Sequence, residues 1–196
     1  QFRFPAALVT SQWLADNAKA PDLRLFECTT YLRPPAPDTD APYTVLSGRG
    51  DFEQGHIPGA AFLDLQSELS DNGSPGHLRF TMPAPAALAA ALEARGVGDD
   101  TRVVLYARGA VQWATRVWWM MRAIGFDNAA ILDGGWENWV AEGRPVSTEE
   151  ARFVPGKLTL KPRSGLFARK DEVAAAMNDG AVCTINALSP ELHRGE

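Results

Sequence analysis

Short apolar runs alternate along the chain with segments whose apolar residues recur at helical spacing. The β-rich runs, of the kind that fills a sheet covered on both faces, are 23–29, 103–106 and 129–132. The segments with helical spacing are 11–19, 82–96, 112–124 and 136–142. Because strands alternate with helices, the sequence predicts an α/β fold with a parallel sheet and helices on both of its faces.

Turn-forming residues punctuate these elements. Thr10 or Ser11 is a suitable cap for the first helix, and Gly96 is placed to end the helix at 82–96. The stretch 31–50 holds four prolines and is predicted as a long loop. A Gly/Pro turn leading into a short strand is expected within 55–65.

The pattern changes after the first 142 residues. Residues 143–165 contain three prolines and no sustained helical period, which predicts a linker with one strand at 157–160. Residues 166–187 then repeat the opening of the chain at one constant spacing, which pairs Leu8, Leu14, Leu23 and Phe26 with Phe167, Val173, Val182 and Ile185. We therefore expect a first domain at 8–142 and the start of a second copy at 166–196. Either the strand of this truncated copy docks on the first domain, or the chain continues beyond Glu196.

Composition limits the function classes. With 196 residues, 45% apolar side chains and a net charge of −5, the chain can bury one core and has no basic cluster for a nucleic acid or an anionic membrane. No stretch of about 18 apolar residues predicts a membrane span, and no signal peptide is visible. The sequence begins with Gln1 and not with Met, so the possibility that a leader was removed from this end stays open.

Cysteine and histidine usage argues against disulfides and metal sites. Cys28 and Cys183 lie far apart, which favours a reducing cytoplasm and two unpaired thiols. His56, His77 and His193 are scattered, so we expect no metal and no cofactor. Cys183 falls in the middle of a predicted strand and is expected in the core.

The loop after the strand at 103–106 has the layout of a nucleophile loop. In an open α/β sheet, loop amides and a helix N-terminus at this edge favour an anion, and a thiol there would be held as the thiolate. The first loop position is Ala107, which can do no chemistry.

Five motifs occur in one order along the chain. They are L-V-T-S-Q-W-L at 8–14, G-H-I-P-G-A at 55–60, T-R-V-W-W at 115–119, D-G-G-W at 133–136 and S-P-E-L-H-R-G-E at 189–196. Together they resemble the tandem-domain rhodaneses, the thiosulfate and 3-mercaptopyruvate sulfurtransferases, and the resemblance covers the whole chain.

The resemblance implies a persulfide mechanism. A loop cysteine takes the outer sulfur of a small anionic donor, thiosulfate or 3-mercaptopyruvate, and passes it to cyanide or another thiol. In tandem members that cysteine lies in the second domain in cis, and the first-domain loop is degenerate. Ala107 fits the degenerate loop, so the nucleophile is expected beyond Glu196 and no catalytic residue in the chain given.

Some positions depart from the family pattern. Where the second domain usually carries D-A-R-x-x-x-R, this chain has Asn186-Ala187-Leu188 and Leu192, so two guanidinium groups for an anionic donor are missing. Arg194 survives nearby and can substitute in part. Thr30 stands where many members place a tryptophan.

The candidate substrate-binding residues are His56, Arg108 and Arg194, each with an alternative structural role. His56 is a general acid/base, contacts substrate or stabilises its turn. Arg108 lines an anion-binding loop or faces solvent, and Cys28 is a nucleophile or a small core residue. The rival function is a catalytically inactive rhodanese module that binds a protein partner or an anion, motivated by Ala107 together with Leu188 and Leu192. A related phosphatase would need a larger loop that ends in arginine.

Overall fold

The computed structural model of the protein describes residues 5–35, 43–73, 79–187 and 189–195, so His77 and Leu188 lie outside the described residues. In chain order the strands are β1 (Leu8–Val9), β2 (Leu23–Glu27), β3 (Thr30–Arg33), β4 (Thr44–Ser47), β5 (Ala60–Phe62), β6 (Arg102–Tyr106) and β7 (Ala129–Leu132). Strands β1, β7, β6, β2 and β5 form a parallel sheet in that order. Strands β3 and β4 pair separately as an antiparallel hairpin.

Seven α-helices are found in the described ranges. They are α1 (Ser11–Asn17), α2 (Arg49–Gln54), α3 (Pro85–Ala94), α4 (Gln112–Ala123), α5 (Gly135–Ala141), α6 (Lys170–Ala176) and α7 (Pro190–Arg194). Thr10 caps α1, because its hydroxyl accepts a hydrogen bond from the Trp13 amide at 3.1 Å. Within these ranges, no helix has the length and apolar character needed to cross a membrane.

Helices cover both faces of the sheet. The core on one face combines strand residues with side chains from α1, α2 and α5, namely Val104, Tyr106, Leu14, Phe52 and Trp139. Side chains alternate along a strand, so Val103 and Leu105 point to the opposite face, where α4 packs against β6 and β7. The predicted α/β architecture, a parallel sheet with helices on both faces, is confirmed.

The predicted loop at 31–50 is wrong over most of its described part. It contains β3, β4 and the start of α2, and Tyr31 pairs with Leu46 in the hairpin. Its four prolines all lie in the sequence between the two strands. Proline therefore marked the hairpin connection rather than the whole segment.

Residues 144–163, most of the predicted linker, pack along the first domain, and the first compact unit extends to Arg163. The amides of Ala151, Gly156, Lys161 and Arg163 donate to the carbonyl oxygens of Ala60, Glu93, Ile124 and Ala123, respectively. No strand forms at 157–160. The prolines of this segment have no amide to donate, and amides between them find acceptors on the domain.

The second compact unit, 164–196, contains α6 and α7. Residues 181–187 form no strand, and Val182 and Ile185 are 48% and 81% exposed. The prediction that Cys183 lies in the core is wrong, because this thiol is exposed. A strand requires a neighbouring strand to pair with, and the described part of this unit provides none.

Candidate functional site

Strands β2 and β6 end side by side, and the residues that follow them form the candidate site. Glu27 pairs with Tyr106 in the register of the two strands, and the Cys28 amide donates to the Tyr106 carbonyl oxygen at 2.8 Å. Loop 107–111 then connects β6 to α4. This is the carboxyl edge of the parallel sheet, where α/β proteins bind their ligands.

The Arg108 side chain turns into the protein. Its Nε lies 2.7 Å from Oε1 of Glu27, and its Nη2 lies 3.2 Å from Oε2 of the same carboxylate. Nη2 also donates to the Gly55 carbonyl oxygen, and the guanidinium stacks 3.9 Å from the centre of the Trp136 ring. The Glu27 side chain is fully buried and that of Arg108 is only 14% exposed. Arg108 therefore neutralises a buried carboxylate of this chain, and a dissolved anion would have to compete with Glu27 for it.

The backbone amides of the loop are also occupied. The Arg108 amide donates to the Thr29 hydroxyl at 3.1 Å, and the Gly109 amide donates to the Glu137 carboxylate at 2.8 Å. The Ala110 amide contacts the Arg108 carbonyl oxygen at 2.6 Å. Stabilising a persulfide or an oxyanion requires donors aimed at the ligand. In this loop, three successive amides already bond to the protein itself.

The turn after β7, D-G-G-W at 133–136, packs directly against loop 107–111. Ala107 is 5% exposed, and its carbonyl oxygen accepts from the Trp136 amide at 3.3 Å. Gly135 adopts a positive φ of 56°, and a Cβ at this position would lie 2.7 Å from the Ala107 carbonyl oxygen. Position 135 of the D-G-G-W turn therefore accommodates glycine only, and the turn covers the Ala107 end of the loop.

Cys28 is a core residue rather than a nucleophile. It is fully buried. Burial is the main cause that raises the pKa of its thiol well above the ordinary range, and the nearby Glu27 carboxylate raises it further. A thiol that stays protonated is a poor nucleophile. Burial likewise raises the pKa of Tyr106, whose hydroxyl accepts a hydrogen bond from the Ile57 amide at 3.2 Å.

The imidazole of His56 is fully buried. Its Nδ1 lies 2.7 Å from the Phe52 carbonyl oxygen, and its Nε2 lies 3.0 Å from the Glu149 carbonyl oxygen. The ring stacks on Phe52 with 3.8 Å between centroids, and the His56 backbone exchanges two hydrogen bonds with Ser147. This is the geometry of a histidine that stabilises a turn.

The structure brings two of the three candidate residues together. Gly55 joins them, because its carbonyl oxygen accepts from Arg108 and it precedes His56 in the chain. Arg194 belongs to the second compact unit, where its Nη2 lies 3.9 Å from Glu191 Oε1 within α7. A substrate-binding role for Arg194 stays a prediction.

The sequence did not reveal the two acidic residues that form hydrogen bonds with loop 107–111, Glu27 and Glu137. Glu27 carried a usable signal, since a glutamate that ends an apolar strand requires a buried cation, and Arg108 follows the neighbouring strand. Glu137 carried no such signal, because an acidic residue in the first turn of a helix is ordinary. Across residues 5–35, 43–73, 79–187 and 189–195, no cluster of three or more His, Cys, Asp or Glu side chains is arranged to hold a metal ion.

Comparison with known proteins gives a consistent family. The profile of the Rhodanese-like domain matches residues 10–142. A Pseudomonas aeruginosa protein named Probable 3-mercaptopyruvate sulfurtransferase is 32% identical over 193 residues, which are 97% of this chain and 64% of the relative. The bovine Thiosulfate sulfurtransferase is 35% identical over 162 residues, which are 79% of this chain and 50% of the relative.

A solved structure shows the same fold. The crystal structure of SseA from Escherichia coli, described as a 3-mercaptopyruvate sulfotransferase, superposes with a TM-score of 0.70 at 26% identity, covering 88% of this chain and 62% of that one. The chain thus spans 50% to 64% of the length of these relatives. Since the domain profile matches most of the chain and the architecture agrees, the chain belongs to the rhodanese family.

Proposed function

We propose that the protein is a sulfurtransferase that moves sulfane sulfur from thiosulfate or 3-mercaptopyruvate to a thiol or cyanide through a cysteine persulfide. The cysteine is expected in a second rhodanese domain in cis, beyond Glu196, and residues 8–142 act as the non-catalytic domain. The observation that carries the proposal is the 32% identity to a protein named as a 3-mercaptopyruvate sulfurtransferase over 97% of this chain, a span that includes both compact units.

The chemistry proceeds in two transfers. The cysteine thiolate attacks the outer sulfur of thiosulfate, the sulfur–sulfur bond of the donor breaks, and sulfite leaves with the bonding electrons. With 3-mercaptopyruvate the carbon–sulfur bond breaks, and the enolate that leaves takes up a proton to become pyruvate. Cyanide or a thiolate then attacks the outer sulfur of the persulfide and releases the enzyme thiolate.

The closed loop supports a non-catalytic role for the first domain. Ala107 offers no nucleophile, and amides 108–110 bond to Thr29, Glu137 and Arg108. The cationic group of the loop is paired with Glu27. A donor anion would therefore have to displace contacts made by the chain itself.

The test compares the full-length protein that contains this sequence with residues 1–196. We expect thiocyanate from thiosulfate and cyanide, or pyruvate from 3-mercaptopyruvate, with the full-length protein only. Intact-mass spectrometry after donor treatment without acceptor should show the gain of one sulfur atom, carried by the loop cysteine of the second domain beyond Glu196. A full-length protein that carries a loop cysteine yet forms neither product overturns the proposal.

The second candidate is an inactive rhodanese module that binds a protein partner or an anion. It is favoured by Ala107, which offers no nucleophile, together with the burial of Cys28, which raises the pKa of its thiol. The same mass measurement separates the two functions, because an inactive module gains no sulfur whichever donor is supplied.

A further inference from the structure

A pocket of about 250 Å³ lies at the amino edge of the parallel sheet, at the opposite end of the strands from loop 107–111. One wall is the turn at 18–21 that precedes β2, and another is the turn that precedes β5. We call it the amino-edge pocket, and all of its lining residues belong to the first compact unit. The lining residues that matter below are Lys19, Arg24, Leu25, Pro58, Gly59 and Phe153.

Arg24 is fixed in the wall of this pocket by neutral groups. Its Nε donates to the Gly96 carbonyl oxygen at 2.8 Å, and its Nη1 donates to the carbonyl oxygens of Pro21 and Leu23 at 2.8 and 3.0 Å. The guanidinium also stacks 4.9 Å from the centre of the Phe153 ring. Within the described part of the chain, this guanidinium forms no ion pair and its Nη2 has no hydrogen-bond acceptor. One nitrogen of an immobilised cation is therefore available to a ligand.

Lys19 brings a second positive charge to the same pocket. Its side chain is exposed and forms no ion pair among the described residues, whereas Arg95, for comparison, pairs with Glu68. The described residues that line the pocket include no aspartate or glutamate. Two cations without a carboxylate between them favour a ligand group that carries more than one negative charge.

The rest of the pocket is apolar. Leu25 is buried, and the rings of Pro58 and Phe153 are half-buried. Gly59 has a positive φ of 82°, and a Cβ at this position would lie 4.0 Å from the Ala18 carbonyl oxygen, so a larger side chain would occupy the space between the two walls. A few charged groups beside apolar walls are typical of small-molecule sites. A phosphate group alone would leave part of the volume empty, and a short carbon chain fits the apolar remainder.

We propose that the amino-edge pocket binds a small phosphate monoester, with the phosphate between Lys19 and Nη2 of Arg24 and the carbon chain against Pro58 and Phe153. At pH 7 a phosphate monoester carries a charge of about −1.5 to −2 and three acceptor oxygens, which matches two cationic donors better than a single carboxylate does. This inference is independent of the sulfur-transfer proposal, because loop 107–111 takes no part in it and the test measures binding without turnover.

The test is a titration of the ¹⁵N-labelled 196-residue chain at pH 7 and constant ionic strength, followed in ¹H–¹⁵N spectra. The probes are propyl phosphate, propanol, inorganic phosphate and butyrate. We expect propyl phosphate to bind at least about tenfold more tightly than propanol, because the phosphate forms charge-assisted hydrogen bonds. It should bind at least about threefold more tightly than inorganic phosphate, through apolar burial, and than butyrate, through its extra charge. The shifted amides should be those of Ala18, Lys19, Gly59 and Ala151.

Lys19→Gln is the variant that tests the site with the least effect on the fold, because this side chain is exposed. It should weaken propyl phosphate at least about threefold and leave propanol unchanged. Lys157→Gln is the matched control, since Lys157 is an exposed lysine of the same compact unit that does not line the pocket, and it should leave the affinity unchanged. Arg24→Lys keeps the charge but removes the guanidinium fork, and it should also weaken propyl phosphate.

Four outcomes would overturn the proposal. The first is equal affinity for propyl phosphate and propanol. The second is a set of shifts confined to residues outside the amino-edge pocket. The third is an equal effect of Lys19→Gln and Lys157→Gln, because the phosphate would then respond only to the overall charge of the protein. The fourth is butyrate that binds as tightly as propyl phosphate, which would assign the pocket to a carboxylate.

Discussion

Glu27 and Arg108 form a charge pair that is almost fully removed from water, with side chains 0% and 14% exposed. Removing one partner leaves the other charge buried and unpaired. We therefore expect Glu27→Gln to lower the free energy of unfolding by about 3–5 kcal/mol, measured by urea denaturation at pH 7.

Glu53 provides a matched control for this substitution. Its carboxylate lies 4.0 Å from Arg49 and its side chain is 64% exposed. The same change, Glu53→Gln, should alter the free energy of unfolding by no more than about 0.5 kcal/mol. Similar losses at both positions would mean that burial of the Glu27 pair does not matter.

Ala107 is the position where a nucleophile would stand. We expect Ala107→Cys to give no multiple-turnover release of thiocyanate, because amides 108–110 are already bonded and Glu27 and Glu137 place negative charge beside a thiolate. The readouts are thiocyanate formation and intact mass after incubation with thiosulfate. Gain of one sulfur atom together with repeated turnover would contradict the closed-loop description.

At the scale of elements, segment 144–163 stabilises the first domain. Phe153 packs edge-on against Phe26 with 5.8 Å between centroids, and Arg24 lies 4.9 Å from its ring. Phe153→Ala should lower the free energy of unfolding by about 2 kcal/mol, through lost apolar burial and lost ring contact. The measurement is again urea denaturation.

The neighbouring residue supplies the comparison. Val154 is 83% exposed, so Val154→Ala should change the free energy of unfolding by less than about 0.5 kcal/mol. If both substitutions leave stability unchanged, segment 144–163 does not contribute to the fold of the first domain.

The elements predicted well from the sequence are those whose pattern is local. Helix α4 has a regular apolar period over 12 residues, and β6 and β7 contain uninterrupted apolar runs, so the sequence predicts each of them within a few residues. The β3–β4 hairpin was missed because its strands are short and prolines dominate the sequence between them. Segment 144–163 was missed because its hydrogen bonds go to distant residues and leave no period in the sequence.

The same distinction applies to the candidate site. The position of loop 107–111 and the absence of a thiol at Ala107 can be read directly from the sequence. The role of Arg108 cannot, because its partner Glu27 lies 81 residues away and becomes a neighbour only when β2 pairs with β6. Likewise, Nε2 of His56 contacts the backbone carbonyl oxygen of Glu149, which lies 93 residues further along the chain.

At the scale of the whole molecule, the two compact units differ in how much they bury. Helix α6 has seven residues and none of them is buried, whereas Val103, Val104 and Leu105 in β6 are fully buried. Short helices without packing are marginally stable in water, and strand amides in a core open rarely. In the chain of residues 1–196, we expect amides 171–176 to exchange with deuterium at least about a hundredfold faster than amides 103–105, measured by hydrogen–deuterium exchange mass spectrometry.

The exposed Cys183 gives an independent check on the same point. In the folded chain of residues 1–196, this thiol should react with a maleimide, whereas Cys28 should react only after denaturation. Slow exchange of α6 together with a protected Cys183 would show that the second unit is packed more tightly than its exposed surface indicates.

Because Gly135 lies so close to the Ala107 carbonyl oxygen, a catalytic cysteine in this loop would require several changes at once. A cysteine at position 107 would still face Glu137 on the Gly109 amide and the turn that only glycine can form. Releasing Arg108 would leave Glu27 buried without its charge partner and cost stability before any activity appeared. Each single substitution toward a catalytic loop is therefore expected to be neutral or to lower stability.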